Sequence, residues 1–143
     1  MTNTKRPTAD AGLLVLRIVA GGVFAAHGAQ KIFEYTIPGT VDAFAGMGAP
    51  LPALIAPLIA FLELIGGVLL ILGLLTRPVA LLLALDMLGA LVLVHLSAGL
   101  WVGEGGYEFV AVLGAAALAL ALTGAGRFAL DPAVLRGKAA VFA

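Results

Sequence analysis

Four apolar stretches, separated by short polar or glycine- and proline-rich connections, make up most of the chain. They lie at about residues 13–33, 53–75, 79–98 and 107–123. Each is close to the roughly 20 apolar residues that an α-helix needs to cross a bilayer. The pattern therefore predicts an all-α fold, an integral membrane four-helix transmembrane bundle. It forms one domain, residues 12–127, between a polar segment at 1–11 and a tail at 128–143.

The first connection, residues 34–50, carries a shorter pattern of its own. Val41, Phe44 and Met47 recur every three residues within it, which is the spacing of one face of a helix. We predict a short amphipathic helix there, lying at the membrane interface in the first outer loop.

Cationic residues flank the predicted spans unequally. The side with both termini and the turn between the second and third spans carries six of them: Lys5, Arg6, Arg77, Arg127, Arg136 and Lys138. The opposite side carries Lys31 alone. Because Lys and Arg accumulate in cytoplasmic loops, we expect both termini to be cytoplasmic. His27, Lys31, His95 and Glu108 then fall in the outer third of the membrane, Glu63 and Asp86 near its middle, and Arg17 in the inner third.

Composition narrows the function classes. Of the 143 residues, 62% are hydrophobic and only 11% are charged, which is too few polar groups to cover a soluble domain. The formal net charge is zero, which argues against nucleic acid as a partner. There is no cysteine, so thiol–disulfide chemistry, iron–sulfur clusters and thiolate metal sites on this chain are excluded.

Charged residues inside the predicted spans are the candidates for function. Placing one at the bilayer centre costs roughly 2.5–3.5 kcal/mol even on a lenient scale, so each needs a partner, water or a neutral state. Arg17, His27 and Lys31 share one face of the first span. Arg17 either extends to the headgroups or forms an ion pair with Asp86 or Glu63. Lys31 has the same two options, headgroup contact or a polar partner.

Spacing within the second and third spans adds two expectations. Ala56, Ala60 and Gly67 share a face with Glu63, so close helix packing should point this acid into the bundle. Asp86 and His95 are nine residues apart and fall on opposite faces of a straight helix, so we do not expect them in one site. The chain also has a weak internal symmetry, because each hairpin has a histidine late in its first helix and a glutamate in its second.

Several of these residues form a recognisable pattern. The segments LRIVAGGVFAAHGAQKIF, FLELIGGVLLILGLLTRPVALLLAL and VHLSAGLWVGEGGYEF together resemble the DoxX family of small bacterial membrane proteins. The matching positions are Arg17, His27, Gly28, Lys31, Glu63, Gly66, Gly67, His95, Tyr107 and Glu108. The resemblance implies a four-helix, multi-pass protein of the bacterial plasma (inner) membrane. It also implies a quinone-linked redox or oxidative-stress setting, in which the chain works with a redox partner subunit. Asp86 matches no position of that pattern.

Our preferred hypothesis is a polar pocket in the outer leaflet that holds a quinone-like headgroup or a small oxidised substrate. Its wall would consist of His27, Lys31, His95 and Glu108. Glu63 would take up protons and Tyr107 would donate a hydrogen bond, as quinone chemistry requires protonatable groups at the carbonyls. Since the chain carries no evident redox centre, electrons would come from a bound cofactor or a partner subunit.

Other interpretations stay open. The two histidines are packing residues, proton-relay or quinone-carbonyl donors, or, less favoured, ligands of a metal or a haem, which nothing in their spacing selects. We predict no metal site. The whole chain is alternatively a small carrier or permease acting as an oligomer, or a structural and assembly subunit of a membrane complex.

Overall fold

The computed structural model describes residues 7–130, which form helices joined by short turns, without a strand in that range. The all-α class is therefore confirmed. We number the α-helices in chain order: α1 Pro7–Ala29, α2 Thr36–Gly46, α3 Pro52–Leu72, α4 Thr76–Ala90 and α5 Glu108–Thr123. The predicted terminal segments 1–11 and 128–143 lie largely outside the described residues.

Both α1 and α4 continue into a stretch of π-helix. α1 is followed by Gln30–Glu34, and α4 is followed by Leu91–His95 and then by a 3₁₀ turn at Leu96–Ala98. A second 3₁₀ turn, Val102–Glu104, precedes α5. π-Helical turns are rare and often occur at functional sites. Here they occur at corresponding places in the two hairpins, at the same end of the molecule.

Three of the helical segments are long and apolar enough to cross a membrane. They are Thr8–Glu34 with 27 residues, Pro52–Leu72 with 21 and Thr76–Ala98 with 23. The fourth, α5, lies where a span was predicted but has only 16 residues. At about 1.5 Å per residue it is roughly 24 Å long, against about 30 Å for a hydrocarbon core. The described part of the chain thus contains three candidate membrane spans and one shorter apolar helix.

The helices pack as two pairs. α1 packs chiefly on α3, through glycines that let the two main chains come very close. A Cβ atom at Gly21 would lie 2.6 Å from the carbonyl oxygen of Gly67, and one at Gly28 would overlap the main chain at Leu64. This is the small-residue packing expected of membrane helices. Gly66 instead faces α4, where a Cβ would lie 3.3 Å from side-chain atoms of Val79 and Leu83.

The second pair, α4 and α5, is held by larger side chains. The buried cluster includes Leu83 and Met87 of α4 and Leu113 and Leu120 of α5. Phe24 of α1, which is 1% exposed, joins the same cluster and links the two pairs. Large apolar side chains also cover much of the outer surface, among them Val15, Leu58, Leu85, Val112 and Leu122. Such a surface suits contact with lipid rather than with water.

Candidate ligand-binding site

A pocket of about 640 Å³ lies at the end of the molecule where both π-helical segments occur. Its walls come mainly from α3 and α4, with contributions from Phe24 and His27 of α1 and Phe109 of α5. Phe44 and Met47, from α2 and the turn that follows it, also contribute. Most lining side chains are apolar. Five are titratable: His27, Lys31, Glu63, Asp86 and His95.

The centre of the polar wall is an ion pair between the π-helical segment after α1 and α3. Lys31 Nζ lies 2.5 Å from Glu63 Oε2. Glu63 is only 3% exposed, and an acid so deeply buried is costly unless a positive charge and hydrogen bonds compensate it. The π-helical segment that carries Lys31 is fixed by Thr40, whose hydroxyl donates to the Lys31 carbonyl oxygen at 2.8 Å. Lys31 therefore has a polar partner, as one of its two predicted options required.

Asp86 belongs to the same group of charges. Its side chain lines the pocket together with Glu63 and Lys31 and interacts with the charges of both. Its Oδ2 atom is buried and has no hydrogen-bond partner among the described residues. Lys31, Glu63 and Asp86 thus form one cluster, which we call the charge cluster. Asp86 is the pocket residue for which sequence reasoning assigned no role in the site.

Arg17 lies elsewhere, and this corrects the expected pairing with Asp86 or Glu63. Its side chain is 0% exposed, and its guanidinium donates to the carbonyl oxygens of Phe128 at 2.6 Å and Leu70 at 3.4 Å. Leu70 is seven residues beyond Glu63 on α3, which is about 10 Å along the helix. The structure therefore separates Arg17 from both acids, because Lys31 pairs with Glu63 and the guanidinium donates to main-chain carbonyls in the last turn of α3 and in the turn after α5.

His95 does share the pocket with Asp86, against the expectation from a straight helix. Both side chains line it. The reason is the π-helical segment Leu91–His95: its hydrogen bonds close a wider turn than those of an α-helix, so its residues rotate away from the α-helical phase. The Nδ1 atom of His95 lies 2.6 Å from the carbonyl oxygen of Gly105. A carbonyl only accepts, so Nδ1 carries the hydrogen and Nε2 is left for another partner.

His27 is exposed toward the pocket rim, and its ring centre lies 5.9 Å from that of Phe109. Glu108 and Tyr107 do not line the pocket. Glu108 Oε1 instead accepts a hydrogen bond from the main-chain N–H of Val102 at 2.6 Å, which holds the loop before α5. Tyr107 packs half-buried against the apolar core. Of the four residues expected to converge, the structure brings together His27, Lys31 and His95, with Glu63 and Asp86 beside them.

Sequence reasoning missed three features of the pocket. Asp86 sits in the middle of an apolar span, and that cost alone signals a buried partner. Nothing in the sequence indicates the π-helical segments, which decide where Lys31 and His95 point. The apolar lining from Phe44 and Met47 was predicted only as one face of an interfacial helix.

A helical protein with apolar outer surfaces and a charge cluster beside a pocket is, as a class, a membrane protein with an internal polar site. Comparison with known proteins gives the particular family. The family model described as DoxX matches residues 12–96, a range that includes all five titratable residues of the pocket. The chain belongs to the DoxX family.

The relatives are bacterial proteins of similar length. The Bacillus subtilis protein named "Putative oxidoreductase CatD" is 42% identical over 129 residues, 90% of this chain and 91% of its own. The Escherichia coli protein named "Inner membrane protein YphA" is 36% identical, covering 83% of this chain and 87% of its own. An "Uncharacterized membrane protein Rv3486" of Mycobacterium tuberculosis is 34% identical, over 83% and 78%. No solved structure matches the chain significantly.

Proposed function

We propose that this chain is a four-span protein of the bacterial inner membrane that binds a quinone-like ligand in the pocket. In this role it is the membrane subunit of a quinone-linked oxidoreductase, and a partner supplies the electrons. The name of the B. subtilis relative as an oxidoreductase and that of the E. coli relative as an inner membrane protein support this setting. The uneven distribution of Lys and Arg supports cytoplasmic termini, with the pocket in the outer leaflet and α2 at its interface.

One observation supports the ligand class: the pocket combines a charge cluster with exposed apolar side chains from two candidate membrane spans. Leu58 of α3 and Leu85 of α4 line the pocket and are 58% and 55% exposed. Both helices are candidate membrane spans. A ligand entering between them would come from the bilayer, with its polar head at the charge cluster and its apolar tail along these leucines. Quinones have this form, and a volume of about 640 Å³ lies in the usual range of small-molecule sites.

The polar groups suit the ends of a quinone ring. Lys31 can donate from its ammonium group and His27 from a ring nitrogen, and a quinone carbonyl oxygen accepts such bonds. His95 contributes Nε2 as a further polar group, because its Nδ1 is bonded to the carbonyl oxygen of Gly105. Glu63 and Asp86 can hold or release protons as the charge on the ligand changes. The chain therefore supplies binding, orientation and proton exchange.

A pair of glycine substitutions tests this proposal. Gly89 lines the pocket and Gly22 does not. Both are half-buried glycines inside α-helices, and a Cβ added at either would meet no heavy atom within 4 Å. Gly89→Phe should fill pocket space, whereas Gly22→Phe is the matched control for adding a large ring to a helix.

The measurement is the amount of quinone per protein after purification in lipid nanodiscs. We expect quinone in the wild type and in Gly22→Phe, and about tenfold less in Gly89→Phe, which corresponds to a loss of about 1.4 kcal/mol of binding free energy. Absence of quinone from the wild type, or equal amounts in all three proteins, would overturn the proposal. Solute uptake by liposomes holding the wild type, without bound quinone, would favour a carrier instead.

A further inference from the structure

The charge cluster has one cation and two acids. Lys31 and Glu63 form a close pair, and Asp86 lies beside Glu63 with Oδ2 buried. If both carboxyls were ionised, the cluster would carry one negative charge in excess. That charge would lie between apolar helices, where the low dielectric makes an uncompensated charge expensive.

Within residues 7–130, no arginine and no second lysine line the pocket. The other titratable residues of the pocket are His27 on α1 and His95 at the end of α4. His95 Nδ1 is held by a carbonyl oxygen, and the ring of His27 stands beside Phe109. The lining residues from α5 are apolar, and so are those from α2 and its following turn. Arg17 lies about 10 Å farther along α3.

Two neighbouring carboxyls can also bond to one another in only one way. An ionised carboxylate only accepts hydrogen bonds, whereas a protonated carboxyl donates one. The Asp86 and Glu63 carboxyls are neighbours in the pocket wall and interact with one another. A proton between them turns a repulsive contact into an attractive one and leaves one negative charge for Lys31.

We propose that Glu63 and Asp86 hold one proton between them, neutralised overall by Lys31, and that this carboxyl pair exchanges the proton with the ligand in the pocket. In the transfer, an O–H bond of the pair breaks and an O–H bond forms on a ligand oxygen that has gained negative charge. The cluster then carries the negative charge that the ligand loses. The shared proton itself does not depend on the proposed function; the identity of its acceptor rests on it.

Infrared spectroscopy of the purified protein at neutral pH tests the shared proton. The C=O stretch of a protonated carboxyl is separate from that of a carboxylate and shifts in D₂O. We expect such a band in the wild type. Glu63→Gln and Asp86→Asn should each lose it, because the remaining acid then balances Lys31 alone. Lys31→Met should keep or strengthen it, because the proton is needed more without the cation. Asp42→Asn, an exposed acid on α2, is the control and should keep it.

Each outcome bears on the inference. Absence of the band from the wild type overturns it, and so does its persistence in both acid variants. If one acid variant does not fold, the other and Lys31→Met still decide. The band is measured without added quinone, so its presence together with a protein that binds no quinone would retain the shared proton and reject the proposed function. Quinone binding without the band would do the reverse.

Discussion

The two ends of the helix bundle differ in the partners that they provide for a buried cation. At one end, which we call the closed end, Arg17 is completely buried and donates to the carbonyl oxygens of Leu70 and Phe128. The segment after α5 folds over it, with Leu130 N–H bonded to the Leu72 carbonyl at 3.1 Å. At the other end, the pocket end, Lys31 is 19% exposed in its side chain and pairs with a carboxylate beside an open pocket.

The difference separates a structural cation from an exchangeable one. A guanidinium has five donors in a rigid plane and stays charged, so it can bind several carbonyls at a helix end at once. Packing leaves it no room, since a Cβ atom at Gly73 would overlap Arg17 Nη1. An ammonium next to two carboxyls and a 640 Å³ pocket can change partners when a ligand or a proton arrives. The closed end therefore holds the helices together, and the pocket end is where we place the ligand.

The largest effect should come from Arg17→Gln. It removes the buried guanidinium that donates to the carbonyl oxygens of Leu70 and Phe128, so the free energy of unfolding in detergent should fall by about 3–5 kcal/mol. Arg77→Gln is the matched control, because this exposed arginine also donates to helix-end carbonyls, at 3.3 and 3.5 Å. Its loss should stay below about 1 kcal/mol. Equal losses for the two would remove the distinction between the closed end and an ordinary surface contact.

A double-mutant cycle should give an effect of intermediate size and show which charges are energetically coupled. Lys31→Met and Glu63→Gln should show a coupling free energy of about 1–2 kcal/mol in a double-mutant cycle, because the two groups are in contact. Arg17→Gln and Glu63→Gln should instead be additive within about 0.5 kcal/mol, because they are about 10 Å apart. The measurement is the free energy of unfolding of the singles and doubles. Coupling between Arg17 and Glu63 would show that the two ends are not independent.

Much of the fold could be predicted from the sequence because membrane helices are recognised by their length and hydropathy. The small residues near Glu63 predicted close helix packing, and α3 does pack closely on α1, where a Cβ added at Gly28 would overlap the main chain at Leu64. Hydrophobic periodicity does not determine which partner a buried cation takes. Arg17 donates to main-chain carbonyls of Leu70 and Phe128, and a main-chain acceptor cannot be recognised from the residue type.

The candidate site was predictable in membership more than in geometry. His27, Lys31 and His95 were expected at similar depth and do line one pocket. The separation of Asp86 from His95 was wrong because it assumed α-helical phase through Leu91–His95, which is π-helical. The sequence position of Glu108 allows its side chain either to line the pocket or to bond to the loop before α5. Only the contact with Val102 N–H distinguishes the two.

The smallest effect concerns Glu108. It tests which residues belong to the pocket end. Glu108→Ala removes the acceptor of the Val102 N–H and an acid from the first turn of α5, so the free energy of unfolding should fall by about 1 kcal/mol. Quinone per protein should stay at the wild-type value, because Glu108 does not line the pocket. Glu104→Ala, an exposed acid in the same loop, should change neither quantity. If Glu108→Ala loses quinone as strongly as Gly89→Phe, then ligand binding depends on the Glu108 contact that holds the loop before α5, whose Val102, Gly105 and Gly106 line the pocket.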